Sequence, residues 1–220
     1  MKIYLGSAAR EQVAWAADAG LADGVLTTPT LLHDEGASDP RGLLQDLCRA
    51  VPGPVLASVE SVHSEEMYRD GRELARLSDQ IVVEVPLVED GVTAIRRLST
   101  DGVRVAASLV YSPAQALLAA KAGAMTITCT LQQLDAEGQY GVQVVEEIRS
   151  VFDASGVECD VLASVATSAS EFTRCLLAGA DCIAVAPETL RGLLIHPLTD
   201  RGVDRFLTTL SRLPKGRLAD

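Results

Sequence analysis

The sequence predicts an α/β protein, a (β/α)8 TIM barrel with an extra C-terminal helix, formed as a single domain over residues 1–220. Three observations lead there. Eight short apolar runs of strand character recur along the chain. Each is followed by a segment of helical period with one apolar face. The 220 residues are 48% hydrophobic but only 4% aromatic, a composition suited to aliphatic core layers. Strict alternation of strand and helix requires crossover connections and therefore parallel strands. Eight such units in this length fit a compact closed barrel.

The elements follow in order. Strand-like Lys2–Leu5 precedes the helical stretch Glu11–Ala19, and Gly24–Thr27 precedes Arg41–Ala50. Pro54–Val59 is followed by Ser64–Leu77, and Gln80–Val85 by Gly91–Ser99. Arg104–Leu109 leads to Pro113–Ala122, where Ser112 is placed to cap a helix whose first turn holds Pro113. Ala124–Cys129 precedes Val142–Phe152, Asp160–Val165 precedes Ser168–Leu177, and Cys182–Ala186 precedes Pro187–Leu194. Gly123 and Gly179 sit where helices give way to strands. A ninth helical stretch, Gly202–Leu213, carries Phe206, Leu207 and Leu210 on one apolar stripe.

Charge and composition narrow the function. A net charge of −11 argues against nucleic-acid binding, which needs a cationic face. No apolar stretch approaches the roughly 20 residues of a membrane span. Met1-Lys2-Ile3-Tyr4-Leu5 reads as a strand rather than a signal peptide. The cysteines at 48, 129, 159, 175 and 182 form no C-x-x-C pair and suit reduced thiols in a cytoplasmic protein.

Function in a parallel barrel belongs at the C-terminal ends of its strands. Glu84 stands out there, in the apolar run Ile81-Val82-Val83-Glu84-Val85-Pro86. A carboxylate inside such a strand is costly unless paired, hydrogen-bonded or protonated. It reads either as a buried carboxyl tied to neighbouring hydroxyls or as an acid/base of raised pKa. Its surroundings are mostly hydroxyls and amides: Thr28, Ser58, Ser108, Tyr111, Thr130, Gln132, Gln133 and Ser164. Such a lining suits a hydroxylated small molecule. A phosphate would depend on backbone N–H groups at the helix start after Ser164. Glu60 reads as a solvated loop acid, and Cys129 as a packed thiol with no adjacent histidine. His33 and His63 lack metal-ligand spacing, so no metal and no cofactor are expected. His196, before Pro197, reads as a surface or interface residue.

Several segments, taken in order, resemble the small transaldolase family and its fructose-6-phosphate aldolase-like subfamily. They are Gly24-Val25-Leu26-Thr27-Thr28-Pro29-Thr30, the run around Glu84, Tyr111-Ser112-Pro113-Ala114-Gln115-Ala116 and Cys175-Leu176-Leu177-Ala178-Gly179-Ala180. The resemblance covers nearly the whole chain and implies the barrel. It also implies a closed homo-oligomer, pentamer or decamer, built through the C-terminal helix. Family chemistry uses a strand-four lysine that forms a Schiff base with a ketose or dihydroxyacetone. By this resemblance Glu84 occupies that lysine's place, and a carboxylate forms no imine. The three lysines, Lys2, Lys121 and Lys215, fall elsewhere.

Other family positions differ as well. Gly6 stands for an aspartate, Thr28 for an asparagine, Ser58 for a glutamine and Gln133 for a phosphate-binding arginine. Ser108 and Ser164 keep hydroxyls. The expectation is a divergent carbohydrate- or polyol-related enzyme or binder without Schiff-base aldolase activity. Its alternative is a non-catalytic oligomeric barrel with a structural or regulatory role. Glu84 is the candidate catalytic residue, and Thr28, Ser58, Ser108, Gln133 and Ser164 are candidate ligand contacts.

Overall fold

A computed structural model of the chain describes residues 1–212. Eight parallel strands close into a barrel in sequential order, with the last pairing the first. They are β1 Lys2–Gly6, β2 Gly24–Leu26, β3 Val55–Ser58, β4 Ile81–Pro86, β5 Val105–Ser108, β6 Thr126–Thr130, β7 Asp160–Ala166 and β8 Cys182–Val185. The helices are α1 Arg10–Asp18, α2 Pro29–Asp34, α3 Pro40–Ala50, α4 Ser64–Ala75, α5 Glu89–Thr100 and α6 Pro113–Ala122. They continue as α7 Leu131–Ala136, α8 Gly141–Ser155, α9 Ala169–Leu177, α10 Pro187–Gly192 and α11 Pro197–Arg212. All eight expected strands are present, their bounds shifted by a residue or two.

Alternation along each strand divides the core. Inward side chains Tyr4, Leu26, Leu56, Val82, Ala106, Leu162, Cys182 and Ala184 fill the barrel. Their sequence neighbours, among them Leu5, Val25, Val55, Val83, Ile127, Val161 and Ile183, pack outward against the helices. The barrel is thus a filled core rather than a pore. Toward its N-terminal end the Tyr4 ring lies against Gly24. A Cβ on Gly24 would come within 2.7 Å of the Pro54 carbonyl oxygen and 3.0 Å of that ring.

Local signals set the helix ends. Ser112 Oγ accepts the Gln115 N–H at 3.3 Å, with Pro113 in the first turn of α6. Asp39 caps α3 in the same way through the Gly42 N–H at 3.0 Å. The α6 helix stops at Gly123, whose φ of +114° suits a residue without Cβ.

The sequence expectation omitted α2 and α7, two six-residue helices in the loops after β2 and β6. They are too short to show an apolar stripe. The last helix begins at Pro197 rather than Gly202, because proline fits a first helical turn. His196 Nδ1 accepts the Leu198 N–H at 3.1 Å there. No residue of α11 is buried, and Phe206, Leu207 and Leu210 are exposed. Leu213, the expected end of this helix, and Lys215 lie outside the described residues. Among the described residues, no helix is long and apolar enough to cross a membrane.

Candidate functional site at the barrel mouth

Val82 points into the barrel core, so the pleat turns Glu84 inward one level nearer the C-terminal mouth. It pairs in register with Ser58 on β3 and Ala106 on β5. Only 5% of Glu84 is exposed. Ser58 Oγ donates to its Oε2 at 2.8 Å, while Oε1 has no hydrogen-bond partner. Thr128, inward on β6 and 4% exposed, likewise has an unpartnered Oγ1. The Thr128 hydroxyl lies near enough to the Glu84 carboxyl to favour its charged form, yet Thr128 Oγ1 and Glu84 Oε1 each lack a hydrogen-bond partner. Burial dominates and raises the Glu84 pKa above its ordinary 4.5, with Ser58 and then Thr128 pulling it back.

The other expected contacts distribute unevenly. By the same alternation Ser108 and Ser164 face inward at the mouth, beside Pro86 on β4 and Thr130 on β6 respectively. Ser164 is buried, and Ser108 is half-buried. Thr28 is half-buried, and its Oγ1 accepts the Leu31 N–H at 3.1 Å, capping α2. Gln133 is exposed on α7, where its side-chain oxygen accepts from the Tyr111 hydroxyl. Leu109, just beyond β5, holds a left-handed φ of +57°, a strained turn for a leucine at the rim. The structure therefore brings Glu84 and Ser58 into contact, sets Ser108 and Ser164 in the same lining, and uses Thr28 locally.

Residues considered for other chemistry stand apart. The side chains of His33 and His63 are 90% and 74% exposed. Among the described residues, no group of three or more His, Cys, Asp or Glu could hold a metal ion. Cys129 is buried outward against the helices, and burial pushes its thiol pKa up to about 12, so it is no ready nucleophile. Two arginines close in sequence to strand ends have partners of their own. Arg10 meets Asp46 at 2.6 Å, and Arg191 stacks on Trp15 at 4.0 Å. Lys2 lies at the opposite end of the barrel, where its Nζ donates to Asp160 Oδ2 at 2.9 Å. Lys121 is in the last turn of α6, at the same end of its crossover as Gly123.

The turn after β7 also differs from an open anion seat. Glu171 folds back so that its Oε2 accepts the Thr167 N–H at 2.6 Å and the Thr167 hydroxyl at 2.9 Å. Ser168 caps α9 by accepting the Glu171 N–H at 3.2 Å. A carboxylate thus already holds donors that a phosphate would require.

Thr128 is the residue that sequence reasoning passed over. Attention to the strand end singled out Cys129 and Thr130, whereas the inward face of β6 is Thr126, Thr128 and Thr130. The signal was present as a threonine at every second position from 126 to 130.

Comparison with known proteins agrees with this architecture. The family model described as Transaldolase/Fructose-6-phosphate aldolase matches residues 3–215. A probable transaldolase of Thermodesulfovibrio yellowstonii is 35% identical over 215 residues, covering 98% of this chain and 100% of that protein. One from Petrotoga mobilis is 39% identical over 207 residues, 94% of this chain and 93% of its own. The probable transaldolase of Clostridium tetani shares 35% identity over 215 residues, 98% and 100% of the two chains.

Proposed function

The chain belongs to the transaldolase/fructose-6-phosphate aldolase family, and we propose that it is a member without Schiff-base aldolase activity, acting on or binding a hydroxyl-rich small molecule. The observation that carries this reading is Glu84 itself. It is the ionisable side chain that β4 turns into the mouth, at the position that the resemblance assigns to the family's lysine. A carboxyl has no amine to attack a ketone, and neither Lys2 nor Lys121 approaches this end of the barrel.

The ligand class follows from the lining. Ser58, Ser108, Thr130 and Ser164 offer neutral donors and acceptors, and Glu84 adds an acceptor or, when protonated, a donor. Among the described residues, no lysine or arginine lines the inward face at this level, and Glu171 holds the Thr167 amide. A phosphorylated ligand would lack charge-assisted hydrogen bonds of roughly 1.5–3 kcal/mol each. A neutral or cationic polyol-like molecule is therefore preferred. The five free, buried cysteines fit a reducing, cytoplasmic setting.

Incubation with dihydroxyacetone or fructose 6-phosphate followed by borohydride reduction tests the reading. The protein's mass stays unchanged if it holds. A covalent adduct on any lysine overturns it.

A second reading, a non-catalytic oligomeric barrel with a structural or regulatory role, is favoured by α11. Its exposed Leu198, Val203, Phe206, Leu207 and Leu210 form an apolar surface that suits packing against another copy. Light scattering at micromolar concentration should then report a closed oligomer, and a monomer would refute this part of the proposal.

A further inference from the structure

We infer that Glu84 and Thr128 together form a seat for the ammonium group of a small, hydroxyl-bearing amine. The inference rests on the reading of the mouth as a site for a hydroxyl-rich molecule, and it names the group that goes deepest. Two oxygens carry it. Glu84 Oε1 and Thr128 Oγ1 are both unpartnered, on residues more than nine-tenths buried, one on β4 and one on β6. A buried polar atom left without a partner costs free energy, so its natural complement is a ligand group that supplies what it lacks.

Donor counting selects the amine. Both oxygens can accept, and an ammonium has three donors and no acceptor. It can donate to Oε1 and to Oγ1 at once, with a third N–H left for a neighbouring hydroxyl such as Ser58 Oγ. A ligand hydroxyl has one proton and serves one oxygen. A water serves both but brings no charge. Among the described residues, the other ionisable side chains that face into the barrel, Tyr4, Cys182, Asp160 and Lys2, belong to its far end. Burial keeps the Tyr4 and Cys182 groups protonated there, and Lys2 is paired with Asp160. Among the described residues, no side chain in this interior therefore competes with a ligand cation for Glu84. The half-buried Ser58, Ser108 and Thr130 leave the approach from the mouth lined with groups that suit the ligand's hydroxyls.

Protonation gives the binding event a signature. Burial raises the Glu84 pKa, so at a pH below that raised value the carboxyl holds its proton in the free protein. When an ammonium arrives, the carboxyl gives that proton to solvent and becomes the carboxylate partner of the cation. No other bond is made or broken.

Calorimetry on the full-length protein with serinol and glycerol tests this, because serinol is glycerol with its central hydroxyl replaced by an amine. Serinol should bind at least about tenfold tighter, as expected for charge-assisted over neutral hydrogen bonds. At a pH below the raised Glu84 pKa, its apparent enthalpy should vary with the ionisation enthalpy of the buffer, reporting the released proton. Glu84→Gln should remove both the preference and the proton release. Thr128→Val should weaken serinol while the release per bound ligand persists, and Thr128→Ser should restore affinity. The comparison of the two ligands on the unaltered protein stands whether or not each variant folds.

Equal affinities, a preference that survives Glu84→Gln, or a buffer-independent enthalpy at a pH below the raised Glu84 pKa would overturn the inference. Tighter binding of glycerol would overturn it while leaving the polyol reading in place. If glycerol phosphate binds tighter than both, the polyol reading falls too. If none of the three binds, the inference falls and the borohydride experiment decides the rest.

Discussion

At the N-terminal end of the barrel, Lys2 donates to Asp160 at 2.9 Å. Arg149 bridges Asp153 and Asp181, and Gln80 donates to the carbonyls of Val51 and Gly53. At the C-terminal end, Glu84 and Thr128 are more deeply buried than any of those charges, yet each keeps an oxygen without a partner. One end matches its polar groups to one another and closes the structure. The other keeps unmatched groups toward the mouth. Buried polarity that is satisfied internally supports stability, and buried polarity that is not satisfied points to binding or chemistry.

Substitutions at the two ends should separate these roles. The largest expected effect is at Gly24, where alanine would press its Cβ against the Pro54 carbonyl at 2.7 Å and the Tyr4 ring at 3.0 Å. Gly24→Ala should cost about 3 kcal/mol of unfolding free energy, from overpacking against backbone that cannot give. Urea denaturation would register it as a lower midpoint at unchanged slope. A neutral result would mean that the closed end is looser than it looks.

Next comes Arg149→Ala. It removes the contacts to Asp153 and Asp181 and leaves Asp181 with the Val161 N–H at 2.8 Å. A loss of about 2 kcal/mol is expected for a mostly buried, charged hydrogen-bonding group. Binding at the mouth should be unaffected, which calorimetry on the variant can check.

The third test concerns pH. Because the folded-state pKa of Glu84 is raised, the unfolded chain releases the carboxyl proton first as pH climbs. Stability is therefore fully present below the ordinary value of 4.5 and falls between that pH and the higher folded pKa, after which this contribution is flat. The slope within the window is about 1.4 kcal/mol per pH unit. Glu84→Gln should flatten it, so the two proteins' melting temperatures should converge on acidification. If the profiles are parallel, Glu84 ionises at little cost and the contrast between the ends loses its basis.

Much of this contrast was legible in the chain. The eight strands could be read because each is an apolar run bounded by glycine, proline or a capping residue, and those signals are local. Glu84 was legible for the opposite reason, as a carboxyl inside such a run. Thr128 was missed because facing is a property of the whole strand, and Thr130 at the strand end drew the attention. The cap made by Thr28 was available in Thr28-Pro29, a pattern of N-cap and first-turn proline, yet α2 is too short to display a helical period. Glu171 could not be read at all as a partner of Thr167. That contact depends on how α9 turns back onto the loop, and nothing in the residue types distinguishes it from an ordinary acid in a first helical turn.

The Glu171 contact also has a bearing on how this barrel could be altered. Its carboxylate holds the Thr167 amide and hydroxyl together, at 2.6 and 2.9 Å. Any route toward recognising phosphate esters is therefore ordered. An arginine introduced at Gln133, where the resemblance implies a phosphate-binding arginine, should gain little while that amide is held. Replacing Glu171 first frees the donors, at the expense of an acid that favours the start of α9. The two changes should be worth more together than separately, so a search one substitution at a time would pass by the combination.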